Sequence, residues 1–220
     1  MCRASAEQFA SKGGTVAILD LASSNGAEVA KELNGNFYPC DVMDYALMDA
    51  TITQAANDMG GLHLVINTAG GGSGSVGGKA QRTVGRDGTR HPTDIFARVL
   101  ELNVVASFNI NTIAGQIMAN NVPNEDGERG VMINTSSIAA FEGQVGQVAY
   151  SAGRATTRPR PLYFPQPSSS PPPRPRPPPS APPRRRLRSH PEAAPIPRRP
   201  RRRLCFDAYR SASTPSRTPS

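Results

Sequence analysis

Apolar and polar positions alternate in two rhythms along the first 154 residues, and then the rhythm stops. Residues 15–20 form a short apolar run closed by an acid, Asp20, the pattern of a buried parallel strand. Residues 62–67 repeat it and end on Asn67, and residues 131–134 repeat it again. Residues 37–42 read as a weaker strand, in which Pro39 points to a sheet edge because proline gives no N–H to a ladder.

Helix signals lie between these runs. Residues 4–12 have helix-forming composition and stop at Gly13-Gly14. Ser23 or Ser24 can cap a helix running to about Leu33, and Asp44 can cap another that ends at Met59 before Gly60-Gly61. A long helix is predicted from Thr93 to about Asn120, with an apolar stripe at Phe96, Val99, Leu100, Val104 and Phe108, close to a 3.6-residue period. A further helix opens between Gly146 and Tyr150. Strands alternating with helices predict an α/β fold with a parallel, doubly wound sheet. In such sheets ligands bind at the carboxyl ends of the strands, and Asp20, Asp41, Asn67 and Ser137 all stand at or just past such ends.

Composition divides the chain at the same place. Nineteen of the 22 prolines follow residue 154. Residues 1–154 carry a net charge of −5 and residues 155–220 a net +13, so the overall +8 belongs to the tail. Residues 158–203 alternate Pro, Arg and Ser and cannot bury enough surface to offset an ordering entropy of roughly 1–2 kcal/mol per residue. Residues 155–220 are therefore expected to be a disordered low-complexity tail. Such a tail could serve as a binding module for nucleic acid or an anionic partner. Its aromatics, Tyr163, Phe164, Phe206 and Tyr209, do not interleave with the arginines, which argues against nucleic acid.

Cys2, Cys40 and Cys205 are odd in number and far apart, with neither a disulfide framework nor zinc spacing, which suits a reducing, intracellular compartment. No histidine cluster marks a metal site, and no apolar run is long enough to span a membrane.

Among the motifs, Gly72, Gly74 and Gly77 match Gly-x-Gly-x-x-Gly after a strand. No apolar-periodic helix follows, so they read as a flexible loop rather than a phosphate cradle. Asp20 ends a strand, where a carboxylate can accept hydrogen bonds from an adenosine ribose and repel a 2′-phosphate, favouring NAD over NADP. Asn103 falls among apolar helix positions, and a buried amide there must be satisfied. Tyr150 lies thirteen residues after Ser137, with Arg154 one turn further on. A tyrosine beside a cation can exchange a proton with a substrate alcohol while a serine hydroxyl holds the same oxygen.

With these residues in view the chain resembles the short-chain dehydrogenase/reductase family. Asn67-Thr68-Ala69-Gly70 is similar to its Asn-Asn/Cys-Ala-Gly motif, Asp41-Val42 to its adenine-contacting aspartate, and Asn103, Ser137 and Tyr150 to its Asn-Ser-Tyr set. The resemblance covers about residues 4–152 and is strongest from Arg129 to Ala152. It implies a Rossmann-like sheet and NAD-dependent oxidation of a secondary alcohol or reduction of a ketone. The substrate class it implies is 3-hydroxyacyl-CoA thioesters or hydroxysteroids, and the compartment the mitochondrion, with the cytoplasm as alternative. Tyr150 would be the acid/base, Ser137 the oxygen stabiliser, Asn103 the residue positioning a relay water, and Asp20, Asp41, Val42, Asn67, Ala69 and Gly70 the cofactor contacts.

The departures are as specific. The family's first strand and Thr-Gly-x-x-x-Gly-x-Gly loop are missing, Arg154 stands at the family's lysine position, and the last strands and tetramer elements are absent. The expectation is thus a partial dinucleotide-binding domain over 1–154, followed by a tail whose composition fits a reading-frame shift or a retained intron, with an inactive fragment as the alternative function. In the family's strand order the missing strand sits between the strands ending at Asp20 and Asn67. A bare gap there would orphan backbone groups at roughly 1–3 kcal/mol each, against a whole domain's stability of about 5–15 kcal/mol; the alternative is that the two flanking strands close up and pair, with a change in helix packing.

Overall fold

The computed structural model describes residues 2–80, 82–156, 162–163 and 202–207. In chain order the elements are α1 (Cys2–Ala10), β1 (Thr15–Asp20), α2 (Gly26–Glu32), β2 (Asn36–Pro39), α3 (Tyr45–Met59), β3 (Leu64–Asn67), α4 (Thr93–Leu100), α5 (Ala106–Met118), β4 (Val131–Asn134), α6 (Val148–Thr156), β5 (Leu162–Tyr163) and β6 (Arg202–Asp207).

Local chemistry explains the boundaries. The Asp44 carboxylate accepts the Leu47 N–H at 3.0 Å and starts α3, and Gly60 at φ 64° ends it in the left-handed region. The Ser24 hydroxyl accepts the Gly26 N–H at 3.1 Å as α2 begins. The long helix predicted from Thr93 is real but not regular: a π-turn over Glu101–Val105 joins α4 to α5. The wider turn shifts the helical phase, which corrects the predicted stripe. Val99 is buried, but Phe108 is 63% exposed, and the buried face continues through Asn103, Ser107, Ile110, Ala114 and Met118.

The sheet order is β2-β1-β6-β3-β4-β5. β2 lies at an edge, where Pro39 costs no ladder bond. On one face Ala17, Leu19, Val65 and Met132 pack against Met48 and Ile52 of α3 and Ile110 of α5. On the other, Val16 and Ile18 meet Ala6 of α1 and Val29 and Ala30 of α2, while Leu64 and Ile66 meet Cys2 of α1. These alternating sets are the period-two faces of buried strands.

The sheet position between β1 and β3 is occupied by a strand from the tail. β6 runs parallel to β1 from Thr15↔Arg202 to Asp20↔Asp207, and parallel to β3 from Leu64↔Arg203 to Asn67↔Phe206. β5, also from the tail, pairs antiparallel with β4. These two strands, residues 162–163 and 202–207, lie within the segment expected to be a disordered tail. The slot between β1 and β3 offers two rows of backbone partners, and satisfying them outweighs the weak strand propensity of an Arg-rich sequence. The other residues of 157–220, including the proline runs and most of the arginines, lie outside the described residues. Cys40 is free and buried, whereas Cys2 is disulfide-bonded, which corrects the expectation of unpaired thiols. Among the described residues no helix is long and apolar enough to cross a membrane.

Candidate active site

Beyond the carboxyl ends of β3 and β4 a closed polar network assembles from three parts of the chain. Asn67, the last residue of β3, donates through Nδ2 to Ser107 Oγ and to Asn134 Oδ1, each at 3.0 Å, and its Oδ1 accepts the Ala69 N–H at 3.0 Å. Ser107 in turn donates to the Asn103 carbonyl at 2.9 Å. The Asn103 side chain, fully buried in the π-turn, donates to the carbonyls of Gly71 and Val99, both at 2.7 Å, and accepts the Gly71 N–H at 3.2 Å. Asn103 is therefore a hub that clamps the Gly70-Gly71 backbone to the helix, and both hydrogens of its amide are used. Ser107 and Asn134 were not singled out from sequence. A polar residue four positions after Asn103, on the same helix face, was the signal for Ser107.

The second cluster lies behind the end of β4. Ser137 caps the short 3₁₀ turn Ile138–Ala140, its Oγ accepting the Ala139 N–H at 3.2 Å, and that turn packs on α6. α6 carries Tyr150 and Arg154. Arg154 is buried; its guanidinium donates to the Thr135 carbonyl at 2.7 Å and lies 5.4 Å over the Tyr150 ring. Its backbone carbonyl accepts the Ser136 hydroxyl at 2.9 Å, tying α6 to the strand end. The cation thus meets the aromatic face, an attraction that arginine makes well. Gly70 and Gly153 make the approach feasible. A Cβ at Gly70, which has φ 143°, would stand 2.2 Å from the Arg154 guanidinium, and one at Gly153 would stand 2.9 Å from the Asn103 side chain.

The third part is a cleft of about 330 Å³ lined by Leu21, Asp41, Met43, Ser75, Val76, Gly77, Arg98 and Leu102. It opens beyond β1 and β2, between an acid and apolar walls. The Asp41 carboxylate, exposed, accepts the Met43 N–H at 2.9 Å, and Val42 is buried beside it. Asp20 is buried at the end of β1 and accepts the Leu21 N–H at 2.7 Å. Sequence reading missed Arg98 and Ser75, which reach the cleft from α4 and from the 3₁₀ turn Ser73–Val76. That turn is where the Gly-x-Gly-x-x-Gly match falls, and it leads into no α-helix until Thr93, as expected of a loop. The structure brings Asn67, Gly70, Asn103 and Arg154 together at one end and groups Asp41 with the cleft at the other. Among the described residues no hydrogen bond joins Ser137 to Tyr150.

A sheet whose strands β1 to β4 and β6 run parallel, covered by helices on both faces, with an asparagine-anchored loop and a serine followed by a tyrosine helix, is a Rossmann-like α/β scaffold. The chain belongs to the short-chain dehydrogenase family, which matches residues 1–158. Its relatives sharpen this. It is 41% identical over 155 residues to the 3-hydroxyacyl-CoA dehydrogenase type-2 of Drosophila melanogaster, covering 70% of this chain and 59% of the relative. It is 37% identical over 153 residues to the Homo sapiens protein of the same name, covering 69% and 57%. Among solved structures, 3-hydroxyacyl-CoA dehydrogenase type-2 from Mycobacterium avium aligns with TM-score 0.62 and 33% identity over 70% of this chain and 58% of that one. A 7α-hydroxysteroid dehydrogenase complexed with NADH and 7-oxo glycochenodeoxycholic acid aligns with TM-score 0.54 and 25% identity over 69% and 55%. The chain spans a little under six-tenths of the length of these curated relatives.

Proposed function

We propose that this chain presents the catalytic face of an NAD-dependent oxidoreductase acting on a secondary alcohol or its ketone, with a 3-hydroxyacyl thioester as the preferred substrate class. One observation carries the reading: Arg154, buried and bonded to the end of β4, holds its guanidinium over the ring of Tyr150 on the helix that packs behind Ser137.

The residues fit the adenosine end of a dinucleotide. The cleft beside Asp41 has an acid edge and apolar walls, and Asp20 places a buried carboxylate at the end of β1. That carboxylate favours a free ribose hydroxyl pair over a 2′-phosphate, hence NAD over NADP. The pyrophosphate is served less well: Ala208-Tyr209-Arg210-Ser211 follow β6, and no glycine stands among them. A bound nicotinamide supplies the hydride acceptor or donor. The chain's own part is proton transfer and orientation. In the oxidation direction the Tyr150 phenolate takes the proton of the substrate alcohol; in the reduction direction the Tyr150 hydroxyl gives its proton to the ketone oxygen, and the Ser137 hydroxyl donates a hydrogen bond to that oxygen. Arg154 holds its guanidinium over the face of the tyrosine ring and so orients it. Asn103 and Asn67 hold the Gly70-Gly71 backbone in place.

Acetoacetyl-CoA reduction with NADH tests the reading. Turnover is expected in the full chain, with at least a hundredfold loss of kcat in Tyr150→Phe, as for a lost general acid. Turnover unchanged by Tyr150→Phe, or absent from the full chain, sinks it.

A further inference from the structure

The chain has three cysteines. Cys40 is free and lies in the cluster under α3 and α5, on one face of the sheet. Cys2 is disulfide-bonded and packs with Leu64 and Ile66 on the opposite face. In β6, position 205 stands in register with Ile18 of β1 and Ile66 of β3. Both of those isoleucines bury their side chains on the face that α1 covers, Ile18 beside Ala6 and Ile66 beside Cys2. α1 and β6 are in contact. We propose that Cys2 is linked to Cys205, and that this bond is a redox latch holding the tail strand at the centre of the sheet.

The chemistry balances as thiol–disulfide exchange. Two thiols, Cys2 and Cys205, give up two protons and two electrons to a low-molecular-weight disulfide, which leaves as two thiols. A dithiol reductant reverses the step, and each direction passes through a mixed disulfide. Cys40 takes no part: burial pushes its thiol up to about 11, which starves it of the nucleophilic thiolate, and it faces the other side of the sheet.

The bond ties α1, at the start of the sequence, to a strand near its end, so it removes freedom from nearly the whole unfolded chain. Reduction removes the covalent tie between α1 and β6. Because β6 lies between the strands that end at Asp20 and Asn67, its release opens the sheet between the strand ends on which the cleft and the asparagine network stand. Redox state and site integrity are thereby coupled, whatever the substrate.

Peptide mapping tests the link directly. Full chain never exposed to reductant is alkylated and digested with trypsin, which cuts after Arg3, Arg203 and Arg210. The expected product joins residues 1–3 to residues 204–210, and dithiothreitol splits it into two alkylatable peptides. Finding both peptides already alkylated before reduction, or Cys2 joined to the Cys40 peptide, overturns the proposal. Hydrogen exchange on the same two samples tests the latch. Amides 202–207 are expected to exchange at least tenfold faster after reduction; equal protection means that the bond is no latch.

Discussion

The two ends of the candidate site are built by opposite means. At the β3–β4 end, Asn67, Asn103, Ser107 and Asn134 close a network in which each buried amide has partners, and all four lie within the continuous α/β pattern. At the β1–β6 end, the central strand comes from a segment separated from the rest of the sheet by a proline run, and it brings no glycine loop behind it. The first region is specified by side chains that fit only one arrangement. The second is specified by a slot: two strands with facing rows of unpaired N–H and C=O groups, which any extended segment of sufficient length could satisfy. Side-chain specificity and backbone vacancy are separate sources of structure, and they fail differently under mutation.

The largest effect is expected at the slot. Leu204 stands opposite Ala17 on one side and Val65 on the other, in the middle of β6. Leu204→Pro removes its N–H and strains both ladders. Two or three orphaned groups at roughly 1–3 kcal/mol each compare with the whole stability of a small domain, about 5–15 kcal/mol. The expected outcome is a fall in Tm of more than ten degrees, or loss of the folded state, with exchange protection lost across β1 and β3. Ser180→Pro, in the proline run, serves as the control and is expected to leave Tm unchanged. Protection in β1 and β3 that survives Leu204→Pro would show that the flanking strands pair without the tail, and the contrast between the two ends would collapse.

A smaller effect is expected at the network. Asn103→Leu keeps the side-chain size but leaves the Gly71 N–H and two carbonyls without their amide partner. One buried unsatisfied group costs roughly 1–3 kcal/mol. Urea unfolding is expected to show a loss of about 2–4 kcal/mol with an unchanged m-value, so that the chain stays folded. Protection is lost locally around Gly70 and Gly71 rather than across the sheet. A global loss as large as that of Leu204→Pro would mean that the network, not the strand, is the weaker support.

These two ends were also unequally legible in the sequence. Thr15–Asp20 and Tyr45–Met59 follow from an apolar run closed by an acid and from an Asp cap with a glycine stop, all local signals. Asn103 stood out because an amide on an apolar face demands partners, and the structure supplies them. The π-turn did not show, since periodicity cannot register one wider turn, and Phe108 was placed on the wrong side of the helix for that reason. β6 could not be read at all. Arg202-Arg203-Leu204-Cys205-Phe206-Asp207 has no clean alternation, and its strand identity comes from the neighbours it lies between. The position itself was legible only through the family resemblance, whose strand order puts a strand between those ending at Asp20 and Asn67; which segment occupies it was not.

The smallest effect sharpens the comparison from the side of the β1–β2 edge, next to the slot. The Tyr38 hydroxyl donates to Asp58 Oδ2 at 2.7 Å, and burial, reinforced by that carboxylate, pushes Tyr38 up to about 12. Burial likewise pushes Cys40 up to about 11 from an ordinary value near 9. Both groups are acids whose neutral form the fold prefers. Their contribution is fully present below the unfolded-chain values and is lost as pH rises through the folded ones. Urea midpoints are therefore expected to stay level from neutral pH to about 9 as far as these groups are concerned, then to fall between pH 9 and about 12. Cys40→Ala removes the lower part of that fall and moves its onset toward pH 10, where an unfolded tyrosine begins to ionise. An onset that does not move in Cys40→Ala would place the alkaline weakness elsewhere. A candidate is then the Cys2 disulfide, which alkaline thiolate exchange would open on the far face of the same sheet.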